Sequence, residues 1–414
     1  MSQRFRQRSA ADTAGAVVDL VRSSGAISRT ELAEKSGLTE ASISRIVKRL
    51  LERNLLVEVG QASSTGGKPR TLLQLRGDGR LEVGVAVDVD QVDYVLINLV
   101  GERLASRSGR GLGKERPPDA VRSMGEEIAG MLADAGVSRT EVAGIGLALP
   151  GRHDPIRRRL RSQRLTSDWE KFAVEPELAE VTGLPVTLEH DYVSAVVGEF
   201  WVGRVPATSN MACLYMATGF GLGMLLGGQV YRGSSHNAGE IGHLVLDVDG
   251  PDCWCGSQGC LEAVAGPRRV VERARELPGV ARALQLSGDG GAVRDEFAKV
   301  ARAAMAGDAQ CREIVEDSAR YVAAAVLSTV NTLDLDRVMF AGRGFADAGP
   351  IYLEAARTAV SKLSFLREVS RVTIEMSQLG LAAAAVGAAT LSIRKDLATT
   401  VGGPSDGRGS TRSG

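Results

Sequence analysis

The sequence predicts an α/β protein that carries a small, mainly helical domain at its N-terminus. Residues from about Asp12 to Leu75 follow helical spacing and end in a Gly/Ser/Thr-rich stretch. From Leu81 to about Leu391, short β-rich runs alternate with longer helical ones, which is typical of a mixed sheet covered by helices. We therefore expect an N-terminal domain over residues 1–78, an α/β domain over residues 79–395 and a disordered tail over residues 396–414.

Composition and patterning indicate a globular protein of the cytoplasm. Hydrophobic residues make up 44% and charged residues 24% of the 414 positions, which is ordinary for a globular chain. The sequence has no run of eighteen apolar residues that would predict a membrane span. Its basic first ten residues lack the apolar stretch of a secretory signal, so we expect a cytoplasmic location and no membrane partner.

The net charge is zero, but its distribution along the chain is uneven. Residues 1–80 contain 14 Lys and Arg against 8 Asp and Glu, and the remaining residues contain 36 against 42. A basic N-terminal domain on an acidic body favours contact between that domain and a polyanion, unless the asymmetry is a chance fluctuation.

The N-terminal domain contains the pattern of a helix-turn-helix. A first helix is predicted over residues 11–22. Ser28 and Glu31 match a capping box that begins a second helix, and Gly37 ends it. Thr39 caps a third helix, which extends to about residue 53. Two short helices joined by a glycine turn predict a DNA-binding unit whose second helix enters the major groove.

The third predicted helix has an apolar and a polar face, and a basic wing follows it. Its expected inward positions are Ile43, Ile46, Val47 and Leu50. Two β-rich runs, LLVEVG and TLLQL, flank the basic segment QASSTGGKPR, which predicts a wing able to enter a minor groove. The predicted DNA-contacting residues are Ala41, Ser42, Ser44, Arg45, Lys48 and Arg49 on the helix, and Lys68 and Arg70 in the wing. The alternative is a three-helix bundle with a solvated basic face.

A cluster of cysteines in the larger domain has the spacing of a metal site. His243 precedes Cys253, Cys255 and Cys260 within eighteen positions, which supplies the imidazole and three thiolates that zinc favours. Four protein ligands would fill the coordination shell, so the predicted ion is structural. The alternative is three free cysteines in a loop. The two other cysteines, Cys213 and Cys311, lie in apolar runs and are expected in the core.

Together these motifs resemble the ROK family of repressors and sugar kinases. The helix-turn-helix, the GGKPR wing, the EIGH motif and the CWCGSQGCLE segment carry the resemblance, which extends from about Asp12 to Leu391. It implies a winged helix-turn-helix joined to a two-lobed sugar kinase fold of the actin and hexokinase type, with ribonuclease H-like sheets.

One departure from the family pattern predicts that the chain is not an enzyme. Kinases of the family have an aspartate followed by Gly-Gly-Thr at the first phosphate-binding turn, whereas this chain has Asp88-Val89-Asp90-Gln91-Val92. Side chains, one of them a carboxylate, replace the glycines that would admit phosphate, and phosphoryl transfer depends on such positioning and charge stabilisation. The second glycine segment, Thr218 to Gly223, persists, and its glycines allow a tight strand-to-strand turn.

The residues that hold a sugar in the family have counterparts here. The resemblance implies a pocket whose ligand-binding residues are His190, Asp191, Glu240, His243 and Glu262. His190 replaces the family's asparagine, and Tyr192 follows Asp191 where the family has alanine. His243 would bind the metal with one ring nitrogen and face the ligand with the other. The alternative is an inherited, unused cleft. His153 and His236 are expected in loops without a site.

These predictions together describe a transcriptional regulator, expected to be a repressor of carbohydrate genes. We expect it to bind a palindromic double-stranded DNA operator as a homodimer or homotetramer, and a sugar or sugar derivative to control it without phosphorylation. One alternative is an active, glucokinase-like ROK sugar kinase that carries a DNA-binding domain. Another is a regulator whose pocket is empty or binds a non-sugar, with control through a protein partner.

Overall fold

The N-terminal domain forms a winged helix of three helices and a small antiparallel sheet. The computed structural model describes residues 10–62, 70–112, 115–154, 159–161, 167–287 and 293–402. The elements of this domain are α1 (Ala10–Ser24), β1 (Ile27–Ser28), α2 (Arg29–Ser36), α3 (Glu40–Glu52), β2 (Leu56–Ala62) and β3 (Arg70–Leu75). The strands pair in the order β1-β3-β2. Most of the predicted wing, including Lys68, lies outside the described residues.

Local capping interactions begin and end the two helices of the predicted DNA-binding unit. The Glu31 amide donates to Ser28 Oγ at 3.3 Å, and the Ser28 amide donates to Glu31 Oε2 at 2.8 Å. Gly37 follows α2 with a φ of 70°, in the left-handed region that favours glycine. The Ser42 amide donates to Thr39 Oγ1 at 3.2 Å at the start of α3. The predicted capping box, glycine turn and second cap are all confirmed.

The first lobe of the larger domain is built on a five-stranded mixed sheet. Its elements are β4 (Leu81–Val87), β5 (Gln91–Asn98), β6 (Arg103–Arg110), α4 (Pro117–Asp134), β7 (Val142–Leu149), β8 (Arg152–Asp154), β9 (Arg159–Arg161), α5 (Val174–Thr182), β10 (Val186–His190) and α6 (Asp191–Val202). The strand order is β10-β7-β4-β5-β6. The β10–β7 and β7–β4 pairs are parallel, and the β4–β5 and β5–β6 pairs are antiparallel. Strands β8 and β9 form a separate hairpin.

The second lobe repeats a five-stranded mixed sheet, and its last helix returns to the first lobe. Its elements are β11 (Met211–Met216), β12 (Phe220–Leu226), β13 (Gln229–Val230), α7 (Leu261–Ala265), α8 (Pro267–Arg275), α9 (Pro278–Ala283), α10 (Val293–Met305), α11 (Ala309–Leu333), β14 (Arg337–Ala341), α12 (Gly349–Leu363), β15 (Thr373–Met376) and α13 (Ala383–Gly402). The strand order is β13-β12-β11-β14-β15. The predicted mixed α/β fold is confirmed.

Helix α13 lies against the sheet of the first lobe with almost no space between their backbones. A Cβ atom on Gly84 would lie 1.9 Å from the Ala385 carbonyl oxygen, and one on Gly146 would lie 1.8 Å from that of Ala388. Such contacts require glycine in the strand and small residues in the helix. The alanine-rich start of α13 meets this need.

The C-terminal part of α13 corrects the predicted start of the tail at residue 396. The helix continues to Gly402, and residues 403–414 lie outside the described residues. Leu397 is buried in a hydrophobic cluster that also contains Val17 and Val21 of α1. Burial of this leucine against the N-terminal domain explains why the helix extends beyond the expected boundary. The same cluster joins the two domains through one continuous apolar core.

No described helix combines the length and the apolar character that a membrane crossing requires.

Candidate functional site

Helix α3 presents a basic face to solvent. Ile43, Val47 and Leu50 are fully buried, as predicted, and Ile46 is half-buried. Five of the six predicted DNA-contacting residues of the helix are exposed, namely Ala41, Ser44, Arg45, Lys48 and Arg49. Ser42 is half-buried, and its hydroxyl oxygen accepts a hydrogen bond from Thr39 Oγ1 at 2.9 Å. Ser42 is thus part of the helix cap. Arg70, the predicted wing residue within the described part, is exposed at the start of β3.

His243, Cys253, Cys255 and Cys260 form a cluster that could hold a metal ion. Their ligand atoms all lie within 4.8 Å of one another. Cys253 Sγ lies 3.6 Å from His243 Nδ1, and Cys255 Sγ lies 3.8 Å from Cys260 Sγ. A tetrahedral ion with bonds of about 2.3 Å to sulfur separates two sulfur ligands by roughly 3.8 Å. The donor set and its spacing therefore fit a tetrahedral metal site.

Two glycines fold the backbone around this cluster. Gly256 and Gly259 have φ values of 93° and 63°, in the left-handed region. A Cβ atom on Gly259 would lie 1.5 Å from the Asp247 carbonyl oxygen, so no other residue fits there. Outside the cluster, Cys213 and Cys311 are buried, as expected of core residues.

Three carboxylates of the predicted sugar pocket are held at the start of α6 and beside the metal cluster. Asp191 begins α6, and its Oδ1 accepts a hydrogen bond from the Tyr192 amide at 2.8 Å. Tyr192 Oη donates to Glu240 Oε1 at 3.4 Å, and Trp254 Nε1 donates to Glu262 Oε1 at 3.0 Å. Carboxylate oxygens act as hydrogen-bond acceptors when ionised.

Glu240 experiences opposing electrostatic effects. Burial raises the pKa of Glu240, the hydrogen bond from Tyr192 opposes that rise, and the charge of Glu262 adds to it. Two of the predicted pocket carboxylates therefore influence each other electrostatically. Glu262 also acts on His243, where it raises the pKa against a larger lowering by burial.

His190, a predicted ligand-binding residue, lies directly before Asp191 at the start of α6. Its side chain is buried, with 1% exposed, and its Nε2 lies 3.0 Å from the His236 carbonyl oxygen. Its ring is stacked between those of His153 and Tyr192, with centroid distances of 3.9 and 4.9 Å. His190 thus contacts His153, Tyr192 and the carbonyl of His236 at the start of α6. That it also binds a ligand stays a prediction.

Sequence reasoning missed the contribution of His153 and Tyr192 to these contacts. In β8, the His153 amide donates to Asn237 Oδ1 at 2.9 Å, and Asn237 Nδ2 donates to the His153 carbonyl at 2.9 Å. A signal was available, because β7 and β10 are parallel neighbours whose carboxyl ends pair Leu149 with His190. Residues that follow these two strands therefore meet at one edge of the sheet.

The segment from Asp88 to Val92, where the sequence predicts the loss of a phosphate-binding turn, forms a hairpin with internal polar contacts. The Asp88 amide donates to the Gln91 carbonyl at 2.9 Å, and Asp88 Oδ1 accepts from the Val89 amide at 2.7 Å. Next to this turn, Asp93 of the first lobe forms an ion pair with Arg343 of the second. Asp93 thus faces a protein cation across the two lobes.

The second glycine segment contains the predicted tight turn, since residues 217–219 join the antiparallel strands β11 and β12, and two of its glycines have a further structural role. Gly221 and Gly223 lie within β12, where a Cβ atom would be 2.2 Å from Tyr192 Cδ1 and 2.0 Å from the Tyr192 carbonyl oxygen, respectively. These glycines admit α6 against the second sheet. The close approach explains their presence without a nucleotide.

The model of the ROK family matches residues 82–395. The chain belongs to the ROK family. A MarR family model matches residues 12–57, which include the three helices of the winged helix. The two family models together match most of both predicted domains.

Curated relatives and solved structures agree with this membership. The xylose repressor of Caldicellulosiruptor bescii is 26% identical over 85% of this chain and 88% of its own. The DNA-binding transcriptional dual regulator NagC of Escherichia coli K12 is 25% identical over 84% of each chain. A ROK family glucokinase from Streptomyces griseus, solved with glucose and AMPPNP, has a TM-score of 0.63 at 26% identity and covers 75% of this chain and 98% of its own.

Another solved structure covers more of this chain than the glucokinase does. It is a ROK family transcriptional regulator, described as a homologue of the E. coli MLC protein. Its TM-score is 0.72 at 23% identity, with 95% of this chain and 98% of that chain covered. The predicted fold, a winged helix joined to a two-lobed kinase-like domain, is confirmed.

Proposed function

We propose that the protein is a sugar-responsive, DNA-binding transcriptional regulator that represses genes of carbohydrate use. The observation that carries the proposal is the combination, in one chain, of a winged helix with an exposed basic α3 and a ROK domain. Relatives aligned over most of their length are named xylose repressor and N-acetylglucosamine repressor. A regulator of this kind acts in the cytoplasm, where its DNA lies.

The DNA interface is assigned to α3 and the wing. Arg45, Lys48 and Arg49 are assigned to phosphates, and the small residues at the start of α3 are assigned to base edges. Lys68 and Arg70 are assigned to the minor groove. Two such domains on a symmetric homodimer or homotetramer would read a palindromic operator with half-sites separated by whole helical turns.

The effector is assigned to the carboxylates around the start of α6. Asp191, Glu240 and Glu262 offer acceptors for the vicinal hydroxyls of a sugar, and His243 offers a ring nitrogen. His190, whose ring is stacked on that of Tyr192, is assigned to the same site.

The metal cluster is assigned to structural zinc. Three thiolates and one imidazole are the ligand set that zinc favours, and four protein ligands leave no open coordination position. Because His243 Nδ1 faces Cys253 at 3.6 Å, its Nε2 is the nitrogen left for a ligand. The ion would supply rigidity to the segment that carries His243, and so join the metal cluster to the pocket.

We propose that the chain does not catalyse phosphoryl transfer. Asp88 and Asp90 occupy the turn where the family's kinases bind phosphate, and a carboxylate 4 Å from a phosphate charge costs about 4 kcal/mol near a protein surface. The alternative function is a sugar kinase with a DNA-binding domain. The observation that supports this alternative is the likeness to the S. griseus glucokinase.

Two measurements on the purified full chain test the proposal. Fluorescence anisotropy with duplexes obtained by in vitro selection should give specific binding, which D-xylose, N-acetyl-D-glucosamine or another sugar of a panel should weaken. A coupled assay with ATP and the same panel should give no turnover above background. Absence of specific duplex binding, or sugar-dependent ATP consumption, contradicts the proposal. Thermal shift with the panel identifies the effector, since a ligand of the folded state raises its stability.

A further inference from the structure

Helix α6 runs from the candidate sugar pocket to the winged helix. It begins at Asp191, ends at Val202 and contains 12 residues. At a rise of 1.5 Å per residue its length is about 18 Å. Every residue from Tyr192 to Trp201 is buried. A helix packed on all sides moves as a rigid unit, because interiors leave little free volume.

The C-terminal end of α6 is bound by a side chain of the N-terminal domain. Arg22 of α1 donates through Nη1 to the carbonyl oxygens of Phe200 and Trp201, at 2.6 and 3.0 Å. Its Nη2 donates to the Val205 carbonyl oxygen at 2.7 Å. A cation at the last carbonyls of a helix also interacts favourably with the helix dipole. Arg22 therefore holds the end of α6 in one orientation relative to α1.

The environment of Arg22 keeps it charged and fixed. Its side chain is 4% exposed, and its guanidinium lies 4.2 Å from the centre of the Phe200 ring. Burial lowers the pKa of Arg22 to about 10, which leaves it protonated at neutral pH, and Asp19 opposes that lowering. Asp19 Oδ1 lies 3.5 Å from Arg22 Nε, and Asp19 Oδ2 lies 3.7 Å from Nη2 of Arg394 in α13.

The backbones of α6 and α13 are in close contact. A Cβ atom on Gly387 would lie 1.6 Å from the Ser194 carbonyl oxygen, and one on Gly198 would lie 2.8 Å from that of Ala383. Helix α13 in turn shares a buried cluster with α1. A displacement at the start of α6 is thus passed to its end and not absorbed between the helices.

We infer that Arg22 is the positioning residue through which occupancy of the pocket at Asp191 reorients the DNA-binding helices. The inference rests on the proposed function, because it needs a sugar at one end of α6 and an operator at the other. Thermodynamic linkage requires the sugar to bind one of two arrangements of α6 and α1 more tightly than the other. Arg22 couples the position of α6 to that of α1, so the operator affinity changes when the sugar binds.

The test measures operator affinity with and without sugar in two Arg22 variants. Arg22→Met removes all three hydrogen bonds to the carbonyls. Arg22→Lys keeps the charge and one donor group, and it carries the test if Arg22→Met fails to fold. Arg394→Met is the matched control, since Arg394 pairs with the same Asp19 and none of its described hydrogen bonds reaches those carbonyls. The probes are D-xylose and N-acetyl-D-glucosamine.

The expected result is a loss of response without a loss of binding. In the wild-type protein and in Arg394→Met, the active probe should change the duplex Kd by about tenfold or more. In both Arg22 variants that change should fall below about twofold, while the sugar Kd stays within about twofold of wild type. Arg22 variants that bind sugar and duplex and keep the full response overturn the inference alone. A wild-type protein that responds to neither probe counts against the proposed function and the inference together.

Discussion

The imidazole rings of His153 and His190 are stacked, with centroids 3.9 Å apart and planes inclined by 13°. Burial lowers the pKa of His190 and holds that of His153 well below its usual value, and for His153 the neighbouring His190 lowers it further. Two neutral histidines thus support the start of α6, beside the carboxylates of the pocket. Glu189 and Arg232, which also act on His190, oppose each other, since Glu189 raises its pKa and Arg232 lowers it.

The first prediction is a loss of stability in mild acid. Because the folded-state pKa of each histidine lies below the unfolded value of 6.5, the unfolded chain binds more protons as the pH falls below 6.5. For each histidine that stays neutral in the folded state, the unfolding free energy should fall by about 1.4 kcal/mol when the pH is lowered from 7.5 to 5.5.

Urea denaturation at these two pH values checks the prediction. His153→Phe keeps an aromatic ring against His190 and should reduce the pH-dependent loss by about 1 kcal/mol. His236→Asn is the control, because its side chain is exposed and asparagine tolerates its φ of 62°. Equal losses in the wild-type protein and His153→Phe would contradict the prediction.

The second prediction concerns the metal cluster. Cys255→Ser should abolish bound zinc and lower the unfolding free energy by at least about 3 kcal/mol, since binding energy at a structural site is folding energy. Elemental analysis of the dialysed protein and thermal denaturation measure both effects. Cys311→Ala, a buried cysteine outside the cluster, should keep its zinc. Full zinc content in Cys255→Ser would sink the assignment.

The third prediction concerns Tyr192, whose hydroxyl donates to Glu240. Tyr192→Phe removes this hydrogen bond, which opposes the rise in the pKa of Glu240 that burial causes. Sugar affinity should fall by about 3- to 10-fold, corresponding to roughly 1 kcal/mol for a hydrogen bond to the pocket. Isothermal titration calorimetry with the sugar found by thermal shift measures the change. Tyr231→Phe, at an exposed tyrosine, should bind like wild type; unchanged affinity in Tyr192→Phe would refute the role.

The fourth prediction concerns the basic face of α3. Arg45→Ala should weaken duplex binding by about tenfold and lower the salt dependence of the affinity by about one counterion. Anisotropy titrations at several salt concentrations give both quantities. Arg122→Ala, at an exposed arginine of α4, should change neither. If Arg122→Ala weakens binding as much as Arg45→Ala, α3 is not the DNA-reading helix.

The fifth prediction compares two glycines. Gly146→Ala places a Cβ atom 1.8 Å from the Ala388 carbonyl oxygen, so the sheet and α13 must separate and stability should fall by about 3 kcal/mol or more. Gly15→Ala, within α1 and with no atom within 4 Å of the added Cβ, should gain about 0.5–1 kcal/mol from helix propensity. Denaturation midpoints report both changes, and a stable Gly146→Ala protein would argue against the contact of α13 with the sheet.

Interactions between near neighbours in the chain were predictable from the sequence. The Ser28–Glu31 capping box, the Gly37 turn and the Thr39 cap each depend on residues within three or four positions, where helix geometry alone decides which groups meet. Cys253, Cys255 and Cys260 of the candidate metal cluster are similarly local, and its one distant member, His243, belonged to a recognisable motif.

The pairing of distant residues was decided only by the tertiary structure. His153 meets His190 because β7 and β10 end at the same edge of the sheet, and Arg22 reaches Phe200 across 178 positions of sequence. Such contacts depend on how separate helices and strands pack, and no periodicity or spacing encodes that packing. The sequence by itself therefore determined the mixed α/β fold, the helices of the winged helix and the cluster of His243 with three cysteines. The contacts of His190, the extension of α13 and the link between α6 and the winged helix were decided by packing, because they join elements far apart in the chain.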